Sequence, residues 1–462
     1  MLGRRKPADK KPADKKSSSP PASDEPEIEQ VLFQGPLFGR EANLKAHAKL
    51  VQSGLLPVKM MISDALSRRA HTILLEPREN RLTIRFIIDG TPYPVAALPA
   101  PKGAAMLQMT KLLAGLDPLK RRDNQEGGIK AEYNGVPYHL MVDCVPQKTG
   151  GERIRIKVEN RKVIRSRPAD VGLPTSVRNR VREYTSERSG VILICGPPES
   201  GSTTLSVVTL HSVDPYLYSV FNMAHLPGVE LTNVSDFEPE PGHDLELSFD
   251  RLQRREADVI FLDRLEDPHV VQTVFDYSDK LAFVAEIRAS TPIEAVQQLI
   301  DWIGPDAVIR GLRAVLTQKL VRRLCDDCKQ AFRPSPPLLK RLGLPPETSV
   351  LYRAPTPPPP DDPQAQSIEE LCEKCDGSPY YGRVALFEML EMSEGMKEVI
   401  AEGADPAAMR KQMVADNMLT LQKDALRVVV EGSTSLEEVQ RAFNPGGARK
   451  RPAKQRPRPK SE

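Results

Sequence analysis

Two short stretches of this sequence contain residues whose types and spacing could do chemistry. The first is the segment GPPESGSTT at residues 196–204, which directly follows the apolar run VILIC. A phosphate-binding loop follows a strand and reads G-x-x-x-x-G-K-[ST]. Gly-bounded turns after strands are common, so the pattern alone supports a nucleotide site only weakly. The residues of such a site would be Gly196, Ser200, Gly201, Ser202, Thr203 and Thr204, with Ser202 in the place of the lysine.

The second stretch is a pair of Cys-x-x-Cys motifs, Cys325-Asp-Asp-Cys328 and Cys372-Glu-Lys-Cys375. Each motif places two thiolates on one side of a tight turn, and four thiolates complete the tetrahedral shell of a structural zinc ion. A redox role would need only one such motif, and four unrelated thiols are the remaining alternative. We therefore predict a closed Zn²⁺ site that has no open catalytic position.

The composition places these motifs in a chain of two or three domains with basic ends. The 462 residues carry a net charge of +3, which is too small to indicate a nucleic-acid partner. Lys, Arg and Pro concentrate in RRKPADKKPADKK at the start and ARKRPAKQRPRPK at the end. Such segments cannot bury a core, so we predict disordered basic tails over 1–54, together with a linker, and over 447–462. The tails could aid solubility or contact anionic lipid.

Residues 55–163 have the pattern of a small N-terminal α+β domain. VKMMISDALSRR and GAAMLQMTKLLAGL have helical spacing, whereas HTILLEP, NRLTIRFIIDGTPYPV, GGIKAEYNGVPYHLMVDCVP and GERIRIKV have the pattern of strands. The dipeptides Asp89-Gly90 and Asn134-Gly135 predict two tight hairpin turns. Cys144 lies in one of these strands and is expected to be a core residue.

Residues 164–320 have the pattern of a doubly wound α/β core. The short apolar runs GVILIC, ADVIFLD and LAFVAEI alternate with helical stretches, which predicts a largely parallel sheet. Cys195 ends the first run and is expected to lie in the core. From Pro305 we expect helices, then a zinc subdomain over 321–392 that contains the Pro-rich insert APTPPPPDDP, and then C-terminal helices over 393–446.

With these segments in view, the chain resembles the type II secretion and type IV pilus assembly ATPases, the secretion protein E family. The resemblance covers roughly residues 55–445. It rests on LSRRAHTILLEPRENRLTIRFIIDG, LTQKLVRRLCDDCKQAF, CEKCDGSPYYGRVALFEML and DNMLTLQKDALRVVVEGSTSLEEVQRAF. It implies a RecA-like P-loop NTPase core, a flexible N-terminal domain and a hexameric ring in which ATP turnover at subunit boundaries drives pilin or pseudopilin assembly.

The loop departs from the pattern of this family at two positions. Ser202 replaces the lysine that contacts the β and γ phosphate oxygens, and Glu199 replaces a glycine. A charge-assisted contact is worth about 1.5–3 kcal/mol, so loss of the lysine weakens affinity roughly 10–100-fold. Glu199 adds a negative charge beside a polyanion. Binding of ATP and Mg²⁺ is therefore expected to be weak.

Further departures fall on the positions that perform the hydrolysis. Phe221 and Asn222 stand where the family has carboxylates, and Arg288 stands at the place of a histidine. The resemblance also places Arg264 at the glutamate that orients or activates the attacking water, and an arginine cannot accept a proton. None of the family's catalytic groups is therefore intact at Ser202, Arg264 and Arg288.

These departures predict a pseudo-ATPase, a non-hydrolysing structural or regulatory subunit of a secretion or pilus machine. The alternative is an active ATPase powering pilin or pseudopilin assembly, in which Arg254, Arg264 or Arg288 supplies charge to the phosphates. Expected partners are paralogous ATPase subunits and inner-membrane platform proteins. The first residues are charged and have no apolar stretch behind them, so we expect no signal peptide, and no segment approaches about 18 uninterrupted apolar residues. We therefore expect a cytoplasmic protein, with a peripheral position at the inner membrane as an option.

Overall fold

The computed structural model describes residues 30–38, 41, 43–147, 150–163, 165–214, 216–225, 231–240, 244–355 and 372–444. Residues 1–29 and 447–462 of the predicted basic tails, and most of the Pro-rich insert, lie outside these described residues. The chain forms two compact units. The first comprises the residues up to Arg69, Ile73–Ile84 and Ala96–Asn160; the second comprises Ala70–Thr72, Arg85–Val95 and the residues from Arg161 onward.

The N-terminal part of the chain forms a seven-stranded sheet and two helices. The elements are β1 (Leu32–Phe38), α1 (Ala48–Ser67), β2 (Thr72–Arg78), β3 (Arg81–Ile88), β4 (Thr91–Pro99), α2 (Ala100–Leu113), β5 (Gln125–Tyr133), β6 (Val136–Pro146) and β7 (Glu152–Asn160). The strand order is β1-β5-β6-β7-β2-β3-β4. Alternate residues of β3, namely Leu82, Ile84 and Phe86, are buried, as expected for a sheet with one apolar face.

The two hairpin turns predicted from the sequence are confirmed. Asp89 and Gly90 connect β3 to β4 with φ of 49° and 80°, and Asn134 and Gly135 connect β5 to β6 with φ of 50° and 66°. Two consecutive residues with positive φ define the type I′ turn, which Asp-Gly and Asn-Gly adopt readily.

Strand β1 and the first residues of α1 lie in the segment that we predicted as tail and linker, so that prediction is wrong for this part. β1 pairs antiparallel with β5, and the backbone N–H of Val31 donates to the buried hydroxyl of Ser63 in α1. The sequence LFQGPLF contains Gly and Pro and lacks a strand pattern of its own. Its conformation comes from pairing with β5, a partner distant in sequence.

The second unit contains the larger set of elements. They are α3 (Pro168–Val171), α4 (Thr175–Ser186), β8 (Gly190–Cys195), α5 (Ser202–Leu210), β9 (Val220–Asn222), β10 (Ser235–Asp236), α6 (Leu245–Arg254), β11 (Val259–Phe261), α7 (Pro268–Asp276), β12 (Ala282–Glu286), α8 (Pro292–Ile303), α9 (Pro305–Gly311), β13 (Leu312–Leu324), β14 (Gln330–Phe332), α10 (Pro336–Leu342), β15 (Leu351–Arg353), β16 (Tyr380–Glu391), α11 (Glu394–Ala401), α12 (Pro406–Ala415), α13 (Leu421–Val430) and α14 (Leu436–Phe443).

The sheet of this unit has the strand order β10-β9-β11-β12-β8-β13-β16. All its neighbouring pairs are parallel except β13 and β16, which are antiparallel. Every residue of β8 and β12 is buried, because helices cover both faces of a parallel sheet. The prediction of an α/β core with a largely parallel sheet is confirmed.

Strands β13 and β16 correct the prediction of helices after Pro305. Both belong to the core sheet, so the core extends past residue 320, and residues 380–391 are not part of a separate zinc subdomain. β13 pairs with β8 on one side and with β16 on the other. These non-local ladders override the weak helical spacing of the segment LTQKLVRRL. The C-terminal segment is helical as predicted, with α11 to α14.

Two large apolar clusters, one containing Leu193 and Phe283 and the other Ile192 and Val284, form the core of the second unit. Within the described ranges, no helix has both the length and the apolar character that crossing a bilayer requires.

Candidate functional site

The loop between β8 and α5 lies at the carboxyl end of a central strand. It begins at Gly196 and ends at Gly201, which is the N-cap of α5 and has a φ of 85°. Gly201 has no side chain, so it supplies no cap for the first N–H groups of α5. Such helix N-termini attract anions. The structure places the predicted residues Ser202, Thr203 and Thr204 in this first turn.

Gln318 of β13 holds the carbonyl side of the loop. Its side-chain amide nitrogen donates to the carbonyl oxygens of Ser200 at 2.8 Å and Gly201 at 2.6 Å. A Cβ atom at Gly201 would lie 2.5 Å from this nitrogen, so the contact requires glycine. The Ser200 hydroxyl is buried, and it has no hydrogen-bond partner in the described part of the chain. It lies so close to Gly196 that a side chain there would collide with it.

Glu199, which replaces a glycine of the family loop, keeps the backbone conformation that glycine would adopt. Its φ is 65°, a left-handed conformation that costs a non-glycine residue about 1–2 kcal/mol. Its side chain is exposed. The loop therefore retains the phosphate-loop backbone at this residue while presenting a carboxylate.

The carboxylate of Glu286 brings Ser202 and Arg264 together. Glu286 ends β12 and is only 7 % exposed. Its Oε2 lies 3.1 Å from the Arg264 guanidinium and accepts from the Ser202 hydroxyl at 3.5 Å. Its Oε1 accepts from the Ser206 hydroxyl of α5 at 3.0 Å. Two of the predicted positions, Ser202 and Arg264, thus meet at one buried acid.

Within the described part of the chain, Arg288 is linked to this group through an exposed carboxylate. Its guanidinium lies 3.8 Å from Glu266, which is also 4.0 Å from Arg264. Asn222, at the end of β9, donates from its side-chain amide to Asp236 at 2.8 Å. Arg254 is the last residue of α6. The predicted positions therefore form a core of Ser202 and Arg264, with Arg288 at its edge.

The residues at the loop do not fit a magnesium nucleotide. A polyphosphate requires converging positive charge, whereas this loop presents Glu199 and has Glu286 behind its first helical turn. The guanidinium of Arg264 already pairs with Glu286. The open N-terminus of α5 and the unpaired Ser200 hydroxyl are the features that still suit an anion.

The four cysteines predicted as metal ligands form one compact cluster, in which all four sulfur atoms lie within 4.8 Å of one another. The sulfurs of Cys325 and Cys372 are 3.8 Å apart, and those of Cys328 and Cys375 are 3.7 Å apart. A tetrahedral ion with Zn–S bonds of about 2.3 Å requires sulfur separations of about 3.8 Å. The cluster can therefore hold a metal, and its dimensions and all-sulfur donor set fit zinc.

The strands of the core sheet position this cluster. Cys325 directly follows β13, and its backbone N–H donates to the carbonyl of Pro379 just before β16. The backbone N–H of Cys375 lowers the pKa of Cys372 to about 7, whereas burial raises the pKa of Cys328 to about 11. The low pKa of Cys372 favours the thiolate form that metals bind.

The other two cysteines are core residues, as predicted. Cys144 on β6 and Cys195 on β8 are buried, and burial raises the pKa of each thiol to about 12. Both therefore remain protonated at neutral pH.

Sequence reasoning missed Glu286, Ser206 and Gln318. The available signal for Glu286 was a single carboxylate ending the apolar run LAFVAE, since ligands of parallel sheets bind at the carboxyl ends of strands. Gln318 lies in a segment that we expected to be helical, so its approach to the loop could not be anticipated.

Comparison with known proteins places this site in a family. A family model described as "Type II/IV secretion system protein" matches residues 55–441. The chain is 27 % identical over 401 residues to the "Type IV pilus assembly ATPase PilB" of Thermus thermophilus, covering 83 % of this chain and 42 % of that protein. It is 26 % identical over 389 residues to the "Type II secretion system ATPase E" of Vibrio cholerae, covering 83 % of this chain and 74 % of that protein.

The chain thus spans less than half of the Thermus relative, and it spans 66 % of a Myxococcus xanthus PilB. Among solved structures, the ATPase DotB of Yersinia pseudotuberculosis has a TM-score of 0.53 at 13 % identity, covering 83 % of this chain and 92 % of that chain. DotB of Legionella pneumophila has a TM-score of 0.50 at 14 % identity, covering 85 % and 96 %. These likenesses concern the fold and agree with the predicted RecA-like core. By the match over residues 55–441, the chain belongs to the type II/IV secretion system protein family.

Proposed function

We propose that this protein is a secretion protein E-like subunit of a type II secretion or type IV pilus assembly machine that does not hydrolyse ATP. The observation that carries the proposal is the contact of Arg264 with Glu286, the acid that also meets Ser202. This contact places the guanidinium of Arg264 beside the loop. The family resemblance expects a water-activating carboxylate at this residue. A guanidinium cannot take a proton from water.

The missing groups affect both the activation of the attacking water and the stabilisation of charge on the phosphates. Loss of a general base typically lowers a rate about 10²–10⁴-fold. The absent lysine removes positive charge from the phosphates, and the carboxylates of Glu199 and Glu286 add negative charge near them. The two losses need not be additive, but each opposes turnover.

The retained scaffold supports a structural or regulatory role. The cysteine cluster has the dimensions of a zinc site, and we assign it a structural zinc ion that holds the turn between β13 and β16. The partners we propose are active paralogous subunits in a mixed ring and the platform proteins of the inner membrane. The site of action would be the cytoplasmic face, where the basic tails could add contacts with anionic lipid.

Phosphate release from ATP by the purified full-length protein tests the proposal. With zinc, Mg²⁺ and anionic phospholipid vesicles present, we expect the same rate as in a protein-free blank. Thr203→Ala is the matched control, since Thr203 has the hydroxyl position of the loop. Turnover by the wild type that Thr203→Ala abolishes would overturn the proposal and restore the active ATPase.

Assembly is tested separately by light scattering at low micromolar concentration without nucleotide. We expect a monomer or a weak oligomer, because nucleotide that would strengthen subunit contacts binds weakly here. Mixing with an active secretion ATPase of the same organism is expected to yield a joint ring. A stable ring of this chain alone would contradict the mixed-ring proposal.

A further inference from the structure

The buried carboxylate of Glu286 lies beside the loop and contacts the N-terminal part of α5. The register pairs Glu286 of β12 with Ile194 of β8, two residues before Gly196. This pairing brings the end of β12 beside the start of the loop. The Glu286 carboxylate accepts from hydroxyls in the first two turns of α5, at Ser202 and Ser206.

The same carboxylate engages a cation beside Ser202. One oxygen, Oε2, contacts both the Arg264 guanidinium and the Ser202 hydroxyl. A single oxygen atom therefore lies between the guanidinium and the residue that replaces the lysine. The Arg264 side chain is 41 % exposed, so it can leave Glu286 for a ligand that enters from solvent.

The rest of the loop retains features of an anion site. The N-terminus of α5 has no side-chain cap, and the hydroxyl of Ser200, a residue that is 4 % exposed, has no partner among the described residues. A buried hydroxyl without a hydrogen-bond partner is unfavourable. This hydroxyl and the Arg264 charge would both gain from an anion in the loop.

We propose that Glu286 is an internal anion that occupies Arg264 and excludes polyphosphate from the loop. This inference rests on the proposed function, because it identifies what restrains the degenerate site. The ligand that Glu286 excludes is a polyphosphate chain, either free or as part of a nucleotide. Removal of the Glu286 charge frees Arg264 to contact the phosphate oxygens in place of the missing lysine.

Isothermal titration calorimetry of the full-length protein with sodium tripolyphosphate and with ATP, each with Mg²⁺, tests the inference. Glu286→Gln keeps the shape of the side chain and removes its charge. We expect it to bind both ligands at least about tenfold more tightly than the wild type, the scale of one charge-assisted contact. Arg264→Gln should bind both ligands as weakly as the wild type. The double variant Glu286→Gln/Arg264→Gln should also bind them as weakly as the wild type.

Glu266→Gln is the matched control, since Glu266 also lies near Arg264 but is exposed and 4.0 Å away. It should change affinity less than about twofold, as expected for a screened surface pair. Unchanged affinity in Glu286→Gln, or a double variant that binds as tightly as Glu286→Gln, would overturn the inference. A gain for ATP without one for tripolyphosphate would also contradict it.

A second pair of variants tests the same charge with a lysine placed at residue 202. Ser202→Lys alone is expected to pair its new ammonium with Glu286 and to gain little affinity. Ser202→Lys combined with Glu286→Asn should bind tripolyphosphate at least about tenfold more tightly than Ser202→Lys. Equal affinities would contradict the inference. Failure of the inference appears in binding, whereas failure of the proposed function appears as phosphate release by the wild type.

Discussion

The side-chain amide of Gln318 donates a 2.6 Å hydrogen bond to the carbonyl oxygen of Gly201. The same nitrogen donates to Ser200 at 2.8 Å, so one residue of β13 holds two successive peptide groups of the loop. The contact with Ser200 is buried, and a Cβ atom at Gly201, whose φ is 85°, would lie 2.5 Å from the amide nitrogen of Gln318. The loop geometry is thus maintained from the neighbouring strand.

Replacement of Gln318 by Met tests this role. Met fills a similar volume but cannot donate, so two buried carbonyls lose a partner. We expect the free energy of unfolding in urea to fall by about 1–3 kcal/mol. Gln272→Met is the control, since the amide of Gln272 donates to Asp276 at the surface. It should change stability by less than about 0.5 kcal/mol; equal effects of the two substitutions would contradict the role of Gln318.

Glu438 is expected to anchor α14 to the sheet. Its fully buried carboxylate accepts from the guanidinium groups of Arg322 on β13 and Arg441 on α14 at 2.6–2.9 Å. Both arginines are partly exposed, so the loss of the carboxylate removes charge-assisted hydrogen bonds worth about 1.5–3 kcal/mol and leaves no fully buried charge behind. Glu438→Gln should therefore lower the free energy of unfolding by that amount, as measured in urea. Glu437→Gln, at the exposed neighbouring residue, should have little effect.

The difference in the free energy of unfolding between the wild type and Glu438→Gln should depend on pH, because of the pKa of Glu438. Burial alone would raise this pKa, but the hydrogen bonds from Arg441 and Arg322 outweigh burial and lower it. A lowered folded-state pKa gives stability that is present above the unfolded value of about 4.3 and is lost as the pH falls through the folded value. The gap between wild type and Glu438→Gln should be constant from pH 6 to 8 and should narrow below about pH 4. A constant gap down to pH 3 would contradict this assignment.

The zinc content of the purified protein tests directly whether the cysteine cluster binds zinc. Protein purified without chelator should contain about one zinc ion per chain by elemental analysis. Cys325→Ser or Cys372→Ser should release the metal and lower the melting temperature. Cys144→Ala removes a thiol outside the cluster and should leave the zinc content unchanged. Much less than one equivalent in the wild type would contradict a zinc site.

Thiol reactivity separates the cluster from the core cysteines. At pH 8, a disulfide reagent should find almost no reactive thiol in the metal-loaded protein and about four after chelation. Cys144 and Cys195 should stay unreactive until the protein is denatured, because both are buried and their pKa values are raised to about 12. Six reactive thiols after chelation, without denaturant, would show that these two are not in a closed core.

Raising phosphate release above background should require at least four substitutions. Arg264→Glu would leave Glu286 facing a second carboxylate, so the combination of Glu199→Gly, Ser202→Lys and Arg264→Glu should remain close to background in phosphate release. Adding Glu286→Gln relieves this repulsion and should raise the rate above that of the triple variant. Thr203→Ala in the quadruple variant should abolish the gain; a gain that persists would indicate a contaminating ATPase.

The sequence predicts the parts of this fold that have local signals. Strands β8, β11 and β12 are short apolar runs, and the hairpin at Asn134 has its own turn chemistry. β13 could not be assigned, because the charges of Lys319, Arg322 and Arg323 recur at helical spacing. Its strand conformation depends on pairing with β8 and β16, which are distant in the chain.

The candidate site also combines features that have a local sequence signal with features that depend on distant parts of the chain. The spacing of glycines and cysteines identifies the loop and the metal cluster, because each motif is local. The meeting of Ser202, Arg264 and Glu286 depends on the register of β8 and β12. A register between strands 90 residues apart leaves no local signal, so the acid that joins these positions becomes visible only in the folded chain.

The cysteine cluster also has a consequence for how this part of the chain can vary. It lies between β13 and β16, where Leu324 pairs with Tyr380, and the sulfurs of Cys328 and Cys375 are 3.7 Å apart there. A metal bound here would hold the two ends of the segment together. The loop-closure entropy of a longer segment would then weaken metal binding and leave the pairing of β13 with β16 unchanged. Doubling such a connection costs only about 0.6 kcal/mol. Insertions between the two cysteine pairs are therefore nearly neutral for the strand pair that carries Gln318.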